Sequence, residues 1–261
     1  MRGLLPVLIH VLSLSLIISQ DFPEKKFHKR EKHAAKIMGR DDRKYGDHSG
    51  NRVLCRFYNH GSIGDQSSSF SGVYPIGSGH SYIWEFSPVV AASVVDTNGF
   101  RRHIVSDGIS GLVDASPEGT PWSFEPLSGY SNPNQENLAM SDNENSWPNS
   151  WPNRTEDWNG EWNGQYGKYV RADQESYFVV DDRYNSEFEF WPDQNDIPED
   201  PTVSPDEHRR GLGIEMEARG YQWNHPAAED IIIVTYWITN VGSNVLDSVV
   251  FGMYGDADIG G

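Results

Sequence analysis

The 261-residue chain has a single cysteine, Cys55, which excludes an intrachain disulfide and a zinc cage built from thiolates. Lysine is almost absent after residue 44, where only Lys168 remains. Ten of the 21 basic residues lie in the first 44 positions, leaving 11 basic against 33 acidic residues from 45 onward, a balance near −22 within a formal net charge of −17. A body this acidic repels phosphate backbones, so nucleic acid is excluded as a partner of residues 45–261. Past the first 20 residues no apolar run reaches the length of a membrane-spanning helix. Catalytic signatures are missing as well. There is no HExxH, Gly79-His80-Ser81-Tyr82-Ile83 fails the nucleophile elbow at its last position, and Gly77-Ser78-Gly79 is a turn without the rest of a phosphate loop.

What is present begins with an export signal. Arg2 is followed by an apolar stretch from Leu4 to Ile18 and then by Ser19, Gln20 and Asp21. The stretch is short for a membrane span and long enough for the apolar core of a secretory signal peptide, so residues 1–20 read as a cleaved signal and the mature chain begins at Gln20 or Asp21. Residues 21–50 form a basic, solvated leader. Its His28 and His33 are five apart, off the spacing that puts two ligands on one helical face. The protein is therefore expected outside the cytoplasm, secreted or at the cell surface, with no membrane span after cleavage.

From residue 51 the pattern changes to short β-branched and aromatic runs separated by Gly, Pro, Asn and Ser, which predicts an all-β domain. Strands are expected at 52–58, 81–86, 88–95, 101–106, 166–171, 175–181, 212–219, 230–240 and 246–254. Leu212, Ile214, Met216 and Ala218 alternate with Gly213, Glu215, Glu217 and Arg219, giving one apolar and one charged face. The run from Ile231 to Ile238 is apolar on both faces, as in a central strand, and the turn at Asn240–Asn244 predicts an antiparallel hairpin with the strand that follows. The spacing implies one or two β-sandwich modules of immunoglobulin or fibronectin type: a first over 51–125, a Trp/Pro-rich loop over 126–165, and a second over 166–261. The chain stops just after an apolar strand, so the second module is expected to be truncated and the sequence to be a fragment.

Within the loop two tetrapeptides repeat, Ser146-Trp147-Pro148-Asn149 with Ser150-Trp151-Pro152-Asn153, then Asp157-Trp158-Asn159-Gly160 with Glu161-Trp162-Asn163-Gly164. A period of four carrying Pro and Gly is no helix, so the segment is irregular. These blocks, together with ADQESYFVVDD, RRGLGIEMEARGYQW, AEDIIIVTYWITNVGS and VVFGMYGDADIGG, resemble the N-terminal region of large, exported, uncharacterised proteins of marine and Bacteroidetes-like bacteria, many of which end in a type IX secretion sorting domain. The resemblance covers 51–261 and implies export. It assigns no activity to any residue.

Trp147, Trp151, Trp158 and Trp162 offer flat apolar faces beside Asn and acidic side chains, the combination a sugar ring needs, so they are the candidate polysaccharide-binding residues. The competing reading, and the weightier one, is that the indoles fasten a long loop to the strands. Calcium is the one cofactor the acidic turns suggest, at Asp193 and Asn195, at Asp256 and Asp258, and at Asp181-Asp182; solvated turns are the simpler and weightier reading of each. Paired carboxylates such as Glu215 with Glu217 or Glu187 with Glu189 lie about 7 Å apart on one strand face, the spacing of an inverting glycosidase pair but also of any solvated face. His60, His80 and His103 lie near strand ends, and Cys55 reads as a small core residue. The reading that follows is a non-enzymatic structural or interaction module whose partners are other extracellular modules of a longer chain, with a carbohydrate-binding or carbohydrate-processing protein as the alternative.

Overall fold

The computed structural model describes residues 43–64, 69–110, 122–188, 190–195, 197–199 and 208–259. The expected signal peptide, most of the basic leader and the last two residues lie outside the described residues.

The described residues form ten strands: β1 (Tyr45–His48), β2 (Cys55–Tyr58), β3 (Ile83–Val95), β4 (Arg101–Asp107), β5 (Glu125–Pro126), β6 (Ala139–Met140), β7 (Gln174–Asp181), β8 (Ile214–Gln222), β9 (Ile233–Asn240) and β10 (Asp247–Ala257). Every pairing between them is antiparallel. One sheet has the order β10-β3-β4, another β5-β7-β8-β9 with β6 also on β7, and β1 pairs with β2. The fold is all-β, as the run spacing predicts.

The main apolar cluster is drawn from both larger sheets. Val90, Ala92 and Val94 of β3 and Ile104 of β4 join Phe178 and Val180 of β7 and Ile214, Met216 and Ala218 of β8, with Cys55 and Phe57 of β2. Burying each such aliphatic or aromatic side chain contributes about 1.5–3 kcal/mol. Period-two alternation on β8 therefore points its apolar set where expected, and Cys55 is a fully buried core residue.

Four expectations are corrected. The hairpin over 230–254 does not form: β9 pairs with β8, and β10 pairs with β3 in the other sheet. The link between them is held from outside, because Ser243 N (2.9 Å) and Asn244 N (3.3 Å) donate to the Pro192 carbonyl and Asn244 Nδ2 donates to that of Trp191 (2.7 Å), so its donors never return to a facing strand. Second, β9 is an edge strand, and Ile233 keeps 38% and Trp237 52% of its surface exposed. Third, residues 166–171 are not a strand. A Cβ on Gly164 would lie 2.5 Å from the Gly167 and Tyr169 carbonyls, so the chain coils tightly there, and the Arg171 and Ala172 amides donate to the Glu175 carboxylate in place of a neighbouring strand.

Fourth, 81–86 and 88–95 are one strand, β3, running through Pro88. Before the proline, Phe86 exchanges hydrogen bonds with Ile63; after it, Val89 faces Asp107 of β4. The missing N–H falls where the strand changes neighbours, the place a sheet tolerates it.

Candidate functional site

Strand β7 is buried at every position, which a strand with one solvated face is not. Its inward residues Phe178 and Val180 enter the main core, while Tyr177 and Val179 point the other way into a second cluster with Tyr130, Ala139, Trp151 and Trp162. The Trp-rich loop thus lies on the outer face of the five-stranded sheet.

Each tetrapeptide repeat supplies one buried and one half-buried indole. Trp151 and Trp162 are 3% and 2% exposed, whereas Trp147 and Trp158 pack partly buried against them. Trp162 sits 5.4 Å from Trp147 and 6.0 Å, edge-on, from Trp151, and Trp151 lies 5.8 Å from Tyr177. A buried indole N–H needs an acceptor, and each has one: Trp147 donates to Met140 O (2.7 Å), Trp151 to Glu161 O (2.9 Å) and Trp162 to Glu175 Oε2 (2.7 Å). The asparagines of the same repeats tie them together. Asn163 Nδ2 donates to Asn153 Oδ1 (3.0 Å), and Asn153 Nδ2 to the Tyr177 hydroxyl (2.8 Å).

Two arginines complete this layer. The Arg219 guanidinium lies 3.8 Å from the Tyr177 ring centroid and donates to Asn163 O (2.5 Å). Arg154 donates to Asn163 Oδ1 (2.7 Å) and covers the Trp158 ring at 4.3 Å. Burial lowers the Arg154 pKa and raises that of Tyr177 well above its ordinary value. Of the four candidate sugar-binding tryptophans, the structure therefore brings all into one layer, closes the faces of Trp151 and Trp162, and lays an arginine over Trp158.

The titratable groups that resemble catalytic parts are turned inward. His48 Nε2 lies 2.8 Å from Ser176 Oγ, the geometry of a base beside a hydroxyl, yet both residues are fully buried and Ser176 Oγ also accepts from Gly220 N (3.1 Å). Burial pushes the His48 pKa down to about 3, so the ring is neutral. Gly220 is required there because a Cβ would stand 2.6 Å from the imidazole.

Asp182 is likewise enclosed. Leu212 N (2.6 Å), Gly213 N (3.2 Å), Ile214 N (3.1 Å) and Ser106 Oγ (3.0 Å) donate to its carboxylate, and Arg209 approaches at 3.5 Å. Gly211 and Gly213, at φ of +71° and +75°, give the backbone the curvature that aims successive N–H groups at one anion. Burial pushes the carboxyl up to about 6 against Arg209 and these donors. The Asp181-Asp182 pair thus holds loops together, with Asp181 bonded to Arg183 (2.8 Å).

The remaining acidic candidates stand apart. Asp193 Oδ1 accepts from Asn195 N (2.9 Å) and Ser243 Oγ (3.1 Å) in an exposed turn, while Asp256 and Asp258 lie at the far end of β10. Among the described residues no group of three or more His, Cys, Asp or Glu is placed to hold a metal. Glu217 accepts from the Tyr177 hydroxyl (3.2 Å).

One constellation was not legible as a site. Tyr166 and Tyr169 are 67% and 50% exposed, and the Arg171 guanidinium lies 4.7 Å and 5.2 Å from their ring centroids. Beside them Trp223 stacks on Tyr221 at 5.7 Å and donates to Arg171 O (3.2 Å), and the Tyr221 hydroxyl donates to Gln165 Oε1 (2.9 Å). The run Tyr166-Gly167-Lys168-Tyr169-Val170-Arg171 is expected as a strand; Gly164 and Gly167 on either side of Tyr166 are the signal that the aromatic residues sit on a coil. Set against family models, curated proteins and solved structures, the chain has no match.

Proposed function

We propose that this protein is a non-enzymatic structural and interaction module of an exported or cell-surface bacterial protein, folded as a β-sandwich, in which β9 pairs with a strand of a neighbouring extracellular module. The apolar stretch at 4–18 followed by charge supports export, and the main apolar cluster, shared by two antiparallel sheets, supports a sandwich.

The observation that carries the interaction reading is the edge of β9. Edge strands are ordinarily blunted by charge, proline or a bulge. Ile233-Val234-Thr235-Tyr236-Trp237-Ile238-Thr239-Asn240 has no charged residue and no proline, and its register on β8 runs without a shift. By contrast β10 carries a register shift between Asp247 and Val250, with Ser248 at φ +53°. Among the described residues β9 has one neighbouring strand, so it offers backbone donors and acceptors to another, the mode by which extended segments add to a sheet.

Hydrogen exchange of residues 233–240 tests the pairing, measured on the isolated chain and on the protein recovered from the cell envelope. Outward amides of β9 are expected to exchange quickly in the first and to be protected in the second, with protection lost in Thr235→Pro. Equal exchange in the two preparations would refute it.

A further inference from the structure

We infer that Tyr166, Tyr169 and Arg171, with Trp223 beside them, form a binding site for a uronate-bearing polysaccharide, separate from the tryptophan repeats and from the β9 edge. In a body with a balance near −22, the described arginines are mostly held by carboxylates: Arg43 by Glu125, Arg52 by Asp230, Arg56 by Asp47, Arg101 by Asp247, Arg102 by Asp96 and Arg183 by Asp181. Arg171 is exposed and has no ion pair with a described carboxylate. Its guanidinium is fixed instead by aromatic groups, donating to the Tyr169 hydroxyl (2.7 Å) and stacking near both tyrosine rings.

That arrangement leaves two kinds of recognition surface next to each other. Arg171 covers Tyr166 from one side, and with 67% of the residue exposed the other side faces water. An open phenol face takes the apolar C–H face of a pyranose. A guanidinium held planar and pre-oriented presents paired N–H donors that match a carboxylate, which is the substituent distinguishing a uronate from a neutral hexose. The coil is rigid enough to serve, because Gly164 admits no Cβ and Glu175 anchors the Arg171 and Ala172 amides.

The overall negative charge opposes an acidic polymer only at long range. At about 0.15 M salt the screening length is about 8 Å, so distant carboxylates are largely screened, and of the near ones Glu175 is buried and takes the Arg171, Ala172 and Trp162 N–H groups while Asp157 is paired with Lys168.

Native affinity electrophoresis of the full chain in gels containing polygalacturonate, dextran sulfate or neutral dextran tests the proposal. Polygalacturonate is expected to retard the protein, with Tyr166→Ala and Arg171→Gln each weakening binding by about tenfold or more at unchanged melting temperature. Arg101→Gln, which removes an exposed arginine elsewhere, is expected to bind as the parent does. The proposal is overturned if no polymer retards the parent, if Tyr166→Ala and Arg171→Gln bind polygalacturonate like the parent, if Arg101→Gln weakens it equally, or if dextran sulfate or neutral dextran is bound in preference. Because both variants alter exposed side chains outside β9, their outcome is independent of the strand-pairing experiment.

Discussion

Strands β7 and β9 flank β8 in the same sheet and carry sequences of the same kind, Tyr177-Phe178-Val179-Val180 in one and Val234-Thr235-Tyr236-Trp237-Ile238 in the other, apolar on both faces. Their fates differ. β7 is covered on its second face by the Trp-rich loop, whereas Ile233 and Trp237 of β9 lie outside that cluster and keep 38% and 52% of their surface exposed. A strand that is apolar on both faces is completed by a second layer, and among the described residues the Trp-rich loop supplies one for β7 and not for β9. The repeats are the means: each places one indole against Tyr177 or its neighbours and bonds it to the loop and sheet.

The difference is broken most forcefully at Trp162. Its replacement by Ala opens the covering layer and removes one of the three donors to buried Glu175, so Trp162→Ala is expected to cost about 3–5 kcal/mol, read as a lower midpoint in a denaturant titration. A loss below about 1 kcal/mol would mean that the loop does not hold the outer face of β7.

A smaller effect distinguishes the two buried titratable residues that fasten the interior. His48 binds a proton near 6.5 when unfolded but only near 3 in the folded protein, so it lowers stability progressively as pH falls below 6.5. Asp182 has the opposite sign. Its pKa rises from 3.8 to about 6 on folding, so its contribution is fully present below 3.8 and is lost as pH rises through 6. Between about pH 4 and 6 the two slopes oppose each other. Asp182→Asn removes one of them, and its stability is expected to fall with acidification over that window more steeply than the parent's. Parallel slopes in the two proteins would refute the pairing of effects.

The least effect is expected at the open end of the sheet. Trp237→Ala removes the same side chain as Trp162→Ala but from a site half in solvent, and its stability is expected to stay within about 0.5 kcal/mol of the parent. If thermal melting shows it to matter as much as Trp162, the uncovered face of β9 is not uncovered.

Much of the local structure was legible. Alternation at Ile214-Glu215-Met216-Glu217-Ala218 placed β8 and chose its buried face, and the runs at 101–106 and 175–181 match β4 and β7 within a residue. Strand β1, Tyr-Gly-Asp-His, was not legible, since only Tyr45 favours a strand while Gly46 and Asp47 disfavour one; pairing with β2 makes it one. The repeats announced a layer of indoles, but which ring of each pair would be buried depends on where the loop meets Tyr177. The glycine pair in Arg209-Arg210-Gly211-Leu212-Gly213 was visible, and its target, Asp182, lies 29 to 31 residues earlier in the chain, beyond the reach of any local pattern.

Period and composition by themselves determined that this chain is acidic, all-β and furnished with a turn-rich aromatic loop, because burial alternates along a strand and glycine and proline mark where strands stop. Tertiary structure alone decided which strands are neighbours. An apolar run such as Ile231 to Ile238 fits a hairpin, a central strand or an edge equally well, since its backbone hydrogen bonds are identical in kind. The choice fell to distant groups, the Pro192 carbonyl that holds the link to β10 and the reach of the Trp-rich loop across β7.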